Sequence, residues 1–238
     1  MLLSLLESGF DRDVLIQLLL SLPIIVFALS VHETAHGWVA YKLGDPTARN
    51  LGRLTLNPFK HLNLFGFLSM LIAGIGWANP VPINARNFKN PRVGMALSGI
   101  AGPVSNFVIA VVSYVGFMMT QFIVLLATGT SEAPHILVDI LLMFLYLSAY
   151  LNFSLAIFNL IPVPPFDGSR FLFIFLPTKW YFKVMQYERY TGLVLIVALM
   201  VLSRFGIHPV AWVVQLLMNV MWWICATPLN LILSLIFA

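Results

Sequence analysis

Cysteine is almost missing from this sequence. Cys225 stands alone, so no intramolecular disulfide can form and no zinc site can be built from thiolates. Charge is scarce as well. Asp, Glu, Lys and Arg make up 9% of the 238 residues against about 25% in soluble domains, while 60% are apolar and mean hydropathy is +0.93. That balance excludes a soluble globular domain and describes an integral membrane protein. The net charge of +4 comes from few residues, placed in loops, so it reports membrane orientation and gives no argument for nucleic acid as a partner. The first residues, Met1 to Glu7 and then Asp11, Arg12 and Asp13, lack a basic leader region and a small-residue cleavage site, so the segment is expected to be retained. Internal repeats, low-complexity tracts and long polar stretches are also missing, which points to a single membrane-embedded domain over 1–238.

What is present is a series of apolar runs: Val14–Tyr41, Leu62–Trp77, Val93–Thr128, Ile136–Pro162, Tyr190–Ser203 and Val210–Ala238. A helix needs roughly 20 apolar residues to cross the hydrocarbon, and Leu62–Trp77, interrupted by Gly66, Gly74 and Gly76, falls short. It reads as a re-entrant segment, and Pro228 is expected to kink the last run. Basic residues set orientation. Lys42, Arg49, Arg53 and Lys60 follow the first run; Arg86, Lys89 and Arg92 follow the short one; Arg170, Lys179, Lys183 and Arg189 follow Pro162. Only Arg12 and Arg204 remain, and Gly129–His135 has no Lys or Arg. The positive-inside rule makes the three basic loops cytoplasmic and turns the N-terminus, Gly129–His135 and His208 outward. Trp180, Tyr181, Trp212, Trp222 and Trp223 suit the interfacial belts.

The motif His32-Glu33-Thr34-Ala35-His36 lies inside the first run. On a helix its histidines stand at i and i+4 on one face, where they can share a zinc ion, with Glu33 beside them as a general base. Ionisable side chains at membrane depth cost at least about 2.5 kcal/mol each, and metal coordination compensates both imidazoles where a plain helix–helix contact leaves Glu33 unpaired. A catalytic zinc takes three protein ligands. His36 lies about 10 Å from the cytoplasmic end of its helix, so the third ligand belongs on that side. Asp167 qualifies, in Asn159-Leu-Ile-Pro-Val-Pro-Pro-Phe-Asp167-Gly168, where three prolines break the helix at the depth of the histidines. His61 is the second candidate; an interfacial or supporting place suits it better. Gly94, Ser98, Gly99 and Gly102 place small residues on the third run, which lets it approach the HExxH helix closely. Arg170 can pair with Asp45 or a lipid phosphate.

HETAH, the stretch Ala101-Gly-Pro-Val-Ser-Asn106 and Asn159–Gly168, in that order, resemble the site-2 protease family of intramembrane zinc metalloproteases. Trp77-Ala-Asn-Pro-Val-Pro-Ile-Asn-Ala-Arg-Asn-Phe88 is similar to compact members without PDZ or CBS domains. The resemblance implies a three-helix catalytic core, here about 14–168, with accessory helices about 188–238. It implies one zinc per chain on His32, His36 and Asp167, Glu33 as the catalytic base, and Asn159 as an oxyanion donor. A helix-ending amide is the plain alternative for Asn159, and Asn106 either lines the same cavity or packs. The expected fold is an all-α polytopic membrane protein of about five to six transmembrane helices with a re-entrant segment. Pro80 and Pro82 favour extended chain, so Asn79–Phe88 can form a strand or short β-hairpin that pairs with an unwound substrate, a plain re-entrant connector being the alternative. The expected activity is zinc-dependent hydrolysis of peptide bonds in or near transmembrane segments of other membrane proteins, as in regulated intramembrane proteolysis, in a prokaryotic plasma membrane with the site toward the cytoplasm. The alternatives are a metal-dependent transporter, which needs polar groups along a route across the bilayer, and a non-catalytic binder of transmembrane segments, in which loss of Glu33 or a ligand is expected.

Overall fold

The computed structural model describes residues 12–73, 76, 78–130, 132, 135–175 and 187–236. The first helix, α1 (Arg12–Lys42), buries Ile24, Ala28, His32, His36 and Ala40. These are successive members of one i, i+4 row, so they form one ridge of the helix turned toward the protein. After Lys42 the chain makes one turn of helix, α2 (Thr47–Asn50), and a tight 3-10 turn at Pro58–Lys60 before α3 (Leu64–Ala73). The two ends of α3 are tied together: Leu62 and Ala78 form an antiparallel bridge, Asn79 N–H donates to the His61 carbonyl at 2.7 Å, and the Asn63 and Asn79 amides meet at 2.9 Å. α3 therefore leaves and returns at one point, with Leu64, Phe65 and Leu68 exposed, as a re-entrant element would.

α4 (Pro91–Thr128) starts where Asn90 accepts the Val93 N–H and stops at Gly129, whose φ of +71° only glycine adopts readily. α5 (Ile136–Asn159) is capped by His135, whose Nδ1 accepts the Leu137 N–H, and runs back along α4. Two polar contacts pin these helices, Ser113 to Ser148 at 2.9 Å and Asn106 to Asn152 at 3.1 Å, the kind of side-chain bonding that holds helices together where lipid offers no hydrophobic drive. Prolines 162, 164 and 165 then break the helix, and α6 (Asp167–Leu172) begins at Asp167. α7 (Glu188–Arg204) and α8 (Pro209–Ile236) follow. Val214, Met218, Met221 and Ala226 of α8 join Ala110, Tyr114, Met118, Ala149 and Phe153 in one apolar core between α4, α5 and α8.

Among the described residues, four helices are long and apolar enough to cross a membrane: α1, α4, α5 and α8. α7, which carries the apolar run Tyr190–Ser203, is shorter at 17 residues. It starts against the proline loop, where a Cβ on Gly192 would stand 2.5 Å from Pro165 and where Thr191 Oγ1 donates to the Pro164 carbonyl. α8 then opens with Val210 on the same cleft as Pro165. The hairpin expected over Asn79–Phe88 takes another form. Residues 79–84 are extended without a strand partner and end in a 3-10 turn, Ala85–Asn87, because Pro80 and Pro82 supply no ladder donors. Lys179, Trp180, Tyr181 and Lys183 lie outside the described residues.

The connection between α1 and α4 is organised by Asp45, which is fully buried. Its carboxylate accepts from Thr47 N–H and Oγ1, Asn84 N–H and Asn87 Nδ2, and it does not meet Arg170. Burial alone would raise this carboxyl, but the bonds from Thr47, Asn87 and Asn84 outweigh it and hold it below the usual carboxylate range. A carboxyl lower in the folded than in the unfolded chain stabilises above its unfolded pKa, and that contribution is lost as pH falls through the folded value. Asp45→Asn is accordingly expected to destabilise the protein by about 2 kcal/mol at neutral pH. The gap from wild type should narrow as pH falls below the usual carboxylate range, read by thermal unfolding in detergent.

Candidate metal centre

His32 and His36 stand one turn apart on the buried ridge of α1, and Asp167 opens α6 directly opposite. His32 Nε2 is 3.0 Å and His36 Nε2 3.2 Å from the same oxygen, Asp167 Oδ2. Among the described residues these three form the group able to hold a metal ion, with all ligand atoms within 4.8 Å of one another. Donors bound at 2.0–2.2 Å to one tetrahedral ion lie about 3.3 Å apart, so the spacing fits zinc. The imidazoles are oriented for it. His32 Nδ1 bonds Asn106 Oδ1 at 2.7 Å and His36 Nδ1 donates to the Ser98 carbonyl at 2.6 Å, which leaves both Nε2 atoms facing inward.

Two glycines make this convergence possible. A Cβ on Gly102 would sit 2.4 Å from His36 Nε2 and 2.6 Å from His32 Nε2, inside the space the ligand atoms surround. On Gly168 it would collide with the Leu160 carbonyl oxygen at 2.2 Å, so only glycine lets the broken segment fold back and present Asp167. The other small residues of α4 serve different neighbours: Gly94 makes room for Phe88, and Gly99 for Arg170 and the Asp167 carbonyl.

Glu33 is half-buried beside the pair, and its Oε2 accepts the Val81 N–H at 2.8 Å. It opens with the three ligand residues onto a cleft of about 620 Å³ walled by Ile25, Leu29, Leu151, Leu155 and Phe158. Asn159 reaches the cleft too, although its Nδ2 already donates to the Leu155 carbonyl at 2.9 Å. Asn106 does not line the cleft; it is fully buried behind His32. His61 is buried and bonds the Thr55 carbonyl through Nε2, and the structure does not bring it into the ligand group. Sequence reasoning missed the Ser98 carbonyl and the Val81 amide, since a main-chain group leaves no side-chain signature. It also missed Asn152, which precedes Asn159 by two helical turns and so shares its face of α5.

With this geometry in view, the comparisons with known proteins can be placed. The family model described as "Peptidase family M50" matches residues 20–202. The chain belongs to peptidase family M50. This membership makes it a zinc metalloprotease of the site-2 protease type, and its apolar helices make it an integral membrane protein. It is 42% identical over 173 residues to a protein of Bacillus subtilis (strain 168) named "Putative zinc metalloprotease YwhC", over 73% of this chain and 76% of that one. To a Mycolicibacterium smegmatis (strain ATCC 700084 / mc(2)155) protein named "Putative zinc metalloprotease Rip2" it is 27% identical over 148 residues, 60% of this chain and 52% of the other. No solved structure matches it.

For this M50 peptidase the close fit of α4 against the histidines gives a direct test. Gly102→Ala is expected to fold with unchanged helix content while zinc falls from about one ion per chain to a small fraction of that, measured by elemental analysis and circular dichroism.

Proposed function

We propose that this M50 peptidase is an intramembrane endopeptidase that hydrolyses peptide bonds in or next to transmembrane segments of other membrane proteins. The observation that carries this reading is the placement of the His32, His36, Asp167 and Glu33 cluster. It opens onto a cleft walled by apolar side chains of α1 and α5, two helices long enough to cross a bilayer. On this reading His32, His36 and Asp167 hold one zinc, and 1–238 acts as one catalytic domain with 14–168 as its core. A bound zinc would supply Lewis-acid polarisation of the scissile carbonyl and acidify a water toward neutrality.

The chain's own groups do the rest. Glu33 has one carboxylate oxygen fixed by the Val81 N–H, which leaves Oε1 to take a proton from water and return it to the leaving amine. Asn159 spends one Nδ2 hydrogen on Leu155, and the second is available to donate to the developing oxyanion, so its helix-bonding and catalytic readings are compatible. A transmembrane substrate has its carbonyls locked in i to i−4 bonds and must unwind locally before it is cut. The basic residues gathered at the site end favour a cytoplasmic orientation of the centre, and the bacterial sources of the relatives favour a prokaryotic plasma membrane. Regulated intramembrane proteolysis, whether it releases a signalling domain or clears a membrane remnant, is the role that suits such an activity.

Reconstituted with a model transmembrane substrate, wild type and Glu33→Gln are expected to hold about one zinc each, with cleavage in the mutant lower by about 10²- to 10⁴-fold. Zinc binding without cleavage by wild type across several membrane substrates would overturn the assignment. Asn159→Leu should keep zinc and lower kcat about 10²-fold with KM little changed, as expected for a donor that acts only in the transition state.

A further inference from the structure

Behind the centre runs a buried chain of hydrogen bonds that crosses three helices. His32 Nδ1 meets Asn106 Oδ1 at 2.7 Å, Asn106 Nδ2 donates to Asn152 Oδ1 at 3.1 Å, and Asn152 Nδ2 donates to the Ser148 carbonyl at 2.9 Å. Asn106 is 0% and Asn152 1% exposed, so water does not compete for these groups. Asn152 touches neither a ligand atom nor the cleft. We propose that Asn152 is a positioning residue that fixes the tautomer of His32, and hence its readiness to bind zinc, through Asn106.

Polarity gives this chain of bonds its direction. An amide can turn over in place, so a bond between two asparagines has by itself no preferred direction. The end of this chain does have one. The Ser148 oxygen is a main-chain carbonyl and can only accept, which obliges Asn152 to point Nδ2 at it and Oδ1 at Asn106. Asn106 must then answer with Nδ2, and its Oδ1 is left for His32. An oxygen beside Nδ1 requires the hydrogen on Nδ1, so the lone pair resides on Nε2, the atom that faces Asp167 and His36. Turning either amide over would set two donors or two acceptors face to face in a buried site, at a cost of a group left unpaired in low dielectric. His36 reaches the same state by a shorter route, since the Ser98 carbonyl contacts its Nδ1 directly. Packing alone does not account for two amides here: apolar side chains of similar volume would fill the α4–α5 contact without burying polar groups.

This inference rests on the reading of His32 as a metal ligand, and the experiment separates the two. Zinc affinity of the full-length protein in detergent is measured by chelator competition for wild type, Asn152→Leu and Asn152→Asp. Leu has the branched shape of Asn, with bulkier methyl groups, and cannot direct Asn106, so zinc binding is expected to weaken by about 10- to 100-fold. Asp restores direction. Ionised, it presents only acceptors to Asn106; protonated, it also donates to Ser148, so its affinity should stay close to wild type. Equal losses in both variants would mean that an acceptor toward Asn106 does not restore binding, and no loss in Asn152→Leu would mean that direction is immaterial; either overturns the proposal while the metal site stands. If Asn152→Leu does not fold, as judged by circular dichroism and gel filtration, Asn152→Ala takes its place against Asn152→Asp under the same criterion. Absence of zinc binding in wild type overturns the ligand assignment and this inference with it.

Discussion

Two imidazoles and two carboxylates set between apolar helices are costly unless their buried polar atoms are engaged, because helix interfaces offer little water or dielectric screening. The architecture around the centre follows from that demand. Both Nδ1 atoms are spent on oxygens of α4, both Nε2 atoms converge on one oxygen of Asp167, and one oxygen of Glu33 is held by a main-chain amide. To deliver those partners α4 must come within van der Waals contact of the histidines, which Gly102 permits, and the chain after α5 must break its helix, which three prolines and Gly168 achieve.

The same economy governs the connection between α1 and α4. Val81 can hold Glu33 because the segment carrying it is clamped on both sides. Asn79 is bonded to His61 and Asn63, Arg53 donates to the Asn79 carbonyl, and Asn84 is held by Asp45. The Val81 side chain packs into the notch that Gly37 leaves on α1. A loop of irregular backbone is thereby made rigid enough to orient the Glu33 carboxylate, which is the arrangement expected when function is placed on non-helical chain at membrane depth.

Much of this was legible in the residues because it rested on side-chain spacing. The 24, 28, 32, 36, 40 row of α1 follows from helical period alone, and Asp167 followed from counting basic residues to decide which loops share a side. What escaped was set by main-chain groups and by packing distance. Nothing in the letters marks the Ser98 carbonyl or the Val81 amide as partners, and Asn152 reads as one more polar residue in an apolar helix until Asn106 is placed across from it. The hairpin was expected from the prolines at 80 and 82, yet the same prolines remove the donors a ladder requires. Hydropathy also marked Tyr190–Ser203 as a run without revealing that Gly192 seats its helix on Pro165.

Gly102 carries a consequence for the mechanics of the membrane. With no side chain between the α4 backbone and the two imidazoles, there is no compressible layer to absorb a change in the gap between the helices. Helix separation therefore sets how firmly Asn106 and the Ser98 carbonyl hold the two Nδ1 atoms, and with them the aim of both Nε2 atoms. A force that pries α1 from α4, whether from a bilayer of mismatched thickness or from a detergent that wedges between them, would loosen the imidazoles before it moved Asp167.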